Sequence, residues 1–95
     1  MGLNVIVTTL DGRQHPDWDD GRYSGDRALF GIANAVPRID HIADPGFGGA
    51  NDWYWRPADF DAFRAAEWPA ENRARWAKLA DILEKAPEFW IFMSI

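Results

Sequence analysis

The densest run of side chains with chemical potential is His15, Asp17, Asp19 and Asp20, within the segment HPDWDDGRY. Carboxylate oxygens beside an imidazole are a ligand set that suits a divalent cation. The spacing argues against one. A helix–loop–helix calcium site needs acidic or amide residues at its first, third and fifth positions and glycine at the sixth. With Gly21 as that glycine, Pro16 and Trp18 fall on two ligand positions. The segment therefore reads as a solvated loop whose Asp side chains bond nearby backbone, and no metal ligand is assigned.

General acid–base catalysis needs two titratable groups held in unlike surroundings. His15 and His41 are the two imidazoles, and neither stands in a catalytic motif. Ser24, in YSGD, lacks the strand-to-helix elbow of a serine nucleophile, and Ser94 lies in an apolar run. The cluster Gly46-Phe47-Gly48-Gly49 has neither a phosphate-binding lysine nor the spacing of a dinucleotide loop. The chain has no cysteine, which removes thiolate nucleophiles, disulfides and thiolate zinc sites together. No catalytic residue and no cofactor is assigned. A small hydrolase built on a histidine and a nearby carboxylate is the least supported alternative.

What remains is aromatic. Six Trp, six Phe and two Tyr stand among 95 residues. A domain of this size needs several of them inside, and helical or strand periodicity assigns Phe60, Phe63, Trp76, Phe89 and at least one of Trp90 and Phe92 to the core. Trp18, Tyr23 and the Trp53 region are surplus to that need. Trp, Tyr and Arg are the side chains that dominate protein interfaces. The expected contact surface is accordingly Trp18, Asp19, Asp20, Arg22 and Tyr23 with Trp53. The expected function is a small non-enzymatic protein-binding domain of the inhibitor, immunity or accessory kind. A structural, self-assembling role, with FWIFMSI pairing between chains, is the alternative.

Charge narrows the partners. Fifteen acidic against ten basic residues give a net of −5, which offers no general attraction to nucleic acid or to anionic lipid. No stretch approaches the apolar length of a membrane span, and the first ten residues have no basic region ahead of an apolar one. A cytoplasmic protein is expected. Eight Arg against two Lys, with abundant Ala, Asp and Pro, fit a GC-rich bacterial or phage coding style.

The elements that must position these residues follow from pattern. Leu3 to Leu10 is β-branched and apolar up to the turn Asp11-Gly12, which predicts a strand. Ser24 stands at the cap position of a helix with Leu29, Ile32, Ala33 and Val36 on one face, ended by Pro37. Arg38 to Ala43 could form a brief strand, and Asp44 to Asn51 is a loop. Trp53 to Trp55 predicts a strand. Pro57 suits the first position of the next helix, with Asp59 and Asp61 in its first turn, and Pro69 can open another. That last helix is the plainest: Trp76, Leu79, Ala80 and Leu83 fall at i, i+3, i+4 and i+7, widened by Ile82, with Glu71–Arg75 and Asp81–Lys85 pairs outside. Phe89 to Ile95 is apolar on both alternating faces, as in a strand buried from both sides. The prediction is a single α+β domain spanning 1–95: a small mixed sheet containing the N-terminal, WYW and C-terminal strands, with about three helices on one side.

Overall fold

In a computed structural model the described residues are 4–19, 21, 26–41, 53–71 and 73–94. They form β1 (Asn4–Thr9), α1 (Ala28–Ala35), β2 (Arg38–His41), β3 (Trp53–Pro57), α2 (Phe60–Ala65), α3 (Arg73–Lys85) and β4 (Phe89–Ser94). The four strands make one sheet in the order β1-β4-β3-β2. The α+β architecture and its three helices agree with the sequence. All three ladders are antiparallel, where a mixed sheet was expected. The strand that sets this is β4, which returns between β1 and β3 and runs opposite to both.

Strand alternation divides the sheet into two faces. Val5 and Val7 stand opposite Met93 and Ile91, and Trp55 stands opposite Ile91. All five side chains are buried in one cluster with Leu29, Ile32, Phe63, Trp76, Leu79 and Leu83 from the helices. The three helices thus cover this face. The α3 stripe behaves as its periodicity predicted, with Trp76, Leu79, Ala80, Ile82 and Leu83 buried. Within the helix layer a chain of rings runs from Trp55 to Phe63 (6.1 Å), Trp68 (4.9 Å) and Trp76 (4.8 Å, stacked). The Trp68 indole N–H donates to Phe63 O at 2.7 Å, so an amphipathic ring closes the layer with its polar edge satisfied.

Several local expectations give way to tertiary structure. Pro57 ends β3 and does not open a helix; it pairs with Arg38, and its missing N–H breaks no ladder bond there. Asp59 is the cap of α2, accepting from Ala62 N–H at 3.1 Å. Pro69 lies ahead of α3, which begins at Arg73. The Ser24 cap lies outside the described residues, as does the 44–51 loop; α1 begins after Arg27 with no side-chain cap bond. Its end is as expected, because Val36 is extended, as residues before proline are. The helix-surface pairs are also rearranged. Arg75 turns to Asp26, and Asp81 pairs with Arg64 (2.9 Å), which also holds Glu84 (2.8 Å).

The segment FWIFMS is central in the sheet, as its apolar run implied, but its two faces differ. Ile91 and Met93 are fully buried, while Trp90 and Phe92 are half-buried on the face away from the helices. With β1 on one side and β3 on the other, β4 is an inner strand of the sheet.

Candidate functional site

Trp18 is the first of the expected contact residues, and the structure gives it work inside the fold. After the turn at Asp11-Gly12, with Gly12 at φ +96°, the chain returns along the outer edge of β1. Thr9 N–H donates to Arg13 O and His15 N–H to Val7 O, both at 2.9 Å. Pro16 has no N–H and stops this short arm. Two residues later the Trp18 indole N–H donates to Val5 O at 2.7 Å, so a side chain completes the edge that the backbone leaves off.

Arg75 on α3 holds that arrangement in place. Its guanidinium carbon sits 4.2 Å from the Trp18 ring centroid, a cation–π geometry. The same group donates to Asp19 O and Gly21 O and to both carboxylate oxygens of Asp26. Side-chain exposure is 8% for Arg75 and 4% for Asp26, so this ion pair is removed from water. Asp19 accepts from Gly21 N–H at 2.9 Å and remains at the surface. Asp20, Arg22 and Tyr23 lie outside the described residues, and of Trp53 the backbone alone is described, paired with Met93. The structure therefore accounts for Trp18 by packing, where the sequence left it surplus.

The aromatic side chains of the sheet that stand outside the core cluster lie elsewhere. On the face away from the helices, Ile6 and Tyr54 flank Phe92 in register, and Thr8 stands opposite Trp90. The Tyr54 and Phe92 rings meet edge to face at 4.5 Å. Ile6, Tyr54, Trp90 and Phe92 are each half-buried, and none belongs to the core cluster or to the residues packed against it. At one side of this face is Ile39, 49% exposed. Its neighbour Arg38 donates to Ala33 O on α1 at 2.8 Å, which puts Arg38 on the helix side and Ile39 on the other. Leu10, just beyond β1, is 46% exposed. The unbroken apolar run of FWIFM was the signal for this surface. Reading both of its faces as core concealed it.

A buried cation fixes the lower end of the same strands. The β3–β4 ladder stops at Trp55–Ile91, and beyond it Arg56 donates to Leu83 O (2.9 Å), Pro87 O (3.0 Å) and Phe89 O. Helix ends leave carbonyls without partners, and one guanidinium here serves the end of α3 and the turn into β4. Burial pushes the Arg56 pKa down from the usual guanidinium range, partly offset by Glu88.

Of the two imidazoles, the side chain of His15 alone is described. His15 accepts from Asp17 N–H through Nδ1 at 3.1 Å and packs edge to face on Phe89. Of His41 the backbone alone is described, paired with Tyr54. Among the described residues no three His, Cys, Asp or Glu side chains converge as metal ligands, and no helix is long and apolar enough to cross a membrane. Compared with protein-family models, curated proteins and solved structures, the chain matches none.

Proposed function

We propose that the chain is a non-enzymatic protein-binding domain, of an inhibitor, immunity or accessory kind, that engages its partner with the sheet face away from the helices. The observation that carries this reading is the set Tyr54, Trp90 and Phe92, half-buried beside Ile6 and outside the core. Three aromatic rings together on one face of a small sheet, each partly exposed, make a contact surface, and aromatic side chains held by a rigid sheet lose little freedom on binding. The net charge of −5 favours a partner whose apolar patch has a basic rim. Asp19, on the loop held by Arg75, adds a further contact in this reading, and Asp20, Arg22, Tyr23 and Trp53 are assigned to the same partner from the sequence alone.

The test is recovery of a partner from extracts of the native host with the tagged full chain and with Phe92→Lys. The reading predicts a protein retained by the native chain and lost with Phe92→Lys, while a control at the exposed α3 position Lys78→Glu keeps it. A partner retained equally by Phe92→Lys places the binding surface elsewhere.

A further inference from the structure

Guanidinium groups in this fold are nearly all committed. Among the described residues Arg13, Arg38, Arg64 and Arg75 meet carboxylates, Arg56 serves three carbonyls, and Arg27 also has a partner. Arg73 is the exception: exposed in the first turn of α3, its side chain has no ion pair, hydrogen bond or ring contact. Glu67, two residues after α2, is exposed and equally uncommitted. Both line one pocket of about 360 Å³ between the end of α2 and the start of α3, together with Trp68 and Trp76. We propose that this pocket binds a free α-amino acid with an aromatic side chain, its carboxylate on Arg73, its ammonium on Glu67 and its ring against Trp68. The pocket lies in the helix layer, so this site is independent of the binding role given to the other face of the sheet.

The aromatic wall is preformed. Trp68 stacks on Trp76 at 4.8 Å and meets Phe63 edge to face at 4.9 Å. Its backbone N–H donates to Ala66 O at 2.8 Å and its indole N–H to Phe63 O at 2.7 Å. A half-buried indole held on so many sides has little freedom left to lose when a ligand ring settles on it. The volume is that of a small-molecule site. Trp76, 2% exposed, keeps an indole N–H with no hydrogen-bond acceptor. Buried donors are rarely left so, and this one belongs to a residue of the pocket wall.

Charge selects the class of ligand. Arg64 is the other cation of the lining, and Asp81 and Glu84 already neutralise it. That leaves one guanidinium and one carboxylate, which do not pair with each other. A simple anion would face Glu67 as well as Arg73, and a simple cation the reverse, whereas a zwitterion offers each its complement. The carboxylate end falls to Arg73 for a second reason. The first turn of α3 has no acidic residue, and the positive end of the helix dipole favours an anion there.

Titration of the isotope-labelled full chain with L-phenylalanine, followed at the tryptophan indole N–H resonances, tests this. Contacts between exposed charges make binding weak, with a Kd on the order of 1 mM. The Trp68 and Trp76 signals should shift saturably. Phenethylamine lacks the carboxylate and 3-phenylpropanoate the ammonium, and each should bind about fivefold more weakly or worse, as L-phenylalanine should to Arg73→Gln and to Glu67→Gln. No saturable shift up to about 20 mM L-phenylalanine overturns the proposal. So does binding that either analogue matches, or that either folded charge variant leaves unchanged. Both substituted positions are exposed, and if circular dichroism nonetheless shows a variant unfolded, the two analogues on the native chain decide.

Discussion

A guanidinium that is 8% exposed must be satisfied on nearly every side, and Arg75 is satisfied by the Asp26 carboxylate, two loop carbonyls and the face of Trp18. The Glu71–Arg75 spacing on the helix pointed to a surface pair worth a few tenths of a kcal/mol. The contact that forms is buried and joins residues far apart in sequence. Removing one partner leaves the other charge without compensation, so Arg75→Ala should lower stability by about 3–5 kcal/mol in urea unfolding. Adding Asp26→Asn to Arg75→Ala should cost less than the two single effects summed. Fully additive effects would mean that the two groups act separately.

Elements whose signal is local were legible in the sequence, and those decided by distant pairing were less so. The stripe from Trp76 to Leu83 lies within one helix, and every position predicted to be buried in it is buried. The apolar run of FWIFMS likewise marked an inner strand. It did not distinguish the covered face from the other, because that depends on which side three separate helices pack. Trp55 and Trp18 illustrate the same limit: one is fully buried on β3, and the other seals the edge of β1, yet neither role is written in neighbouring residues. Pro57 was misplaced because a proline before Asp59 fits a helix start as well as a strand end. Arg56 is a further case, since nothing around it in sequence announces that it serves the end of α3. Its three acceptors are spread over α3, the turn after it and the start of β4, and a compact ammonium does not span them as a planar fork does. Arg56→Lys should therefore lower stability by about 2–3 kcal/mol in chemical denaturation, since buried carbonyls lose their donors. A change under about 0.5 kcal/mol would show that water or another donor replaces the guanidinium.

For the molecule as a whole, the sheet has two faces with separate roles. One is the floor of the core beneath α1, α2 and α3; the other presents Ile6, Tyr54, Trp90 and Phe92 outside the core cluster. This division underlies the binding role, and neighbouring residues of β4 test it most directly. Met93 is fully buried and Phe92 is half-buried on the opposite face. A lysine at Met93 would bury an unpaired charge, and more than about 4 kcal/mol of destabilisation is expected. A lysine at Phe92 can carry its ammonium to solvent, and a loss of about 1–2 kcal/mol is expected. The decisive measurement is the urea midpoint of Phe92→Lys beside that of Met93→Lys, followed by circular dichroism. The account predicts that Phe92→Lys unfolds cooperatively near the native midpoint while Met93→Lys is largely unfolded without denaturant. Equal and severe destabilisation would contradict it, because the aromatic face would then be core and not a surface for a partner.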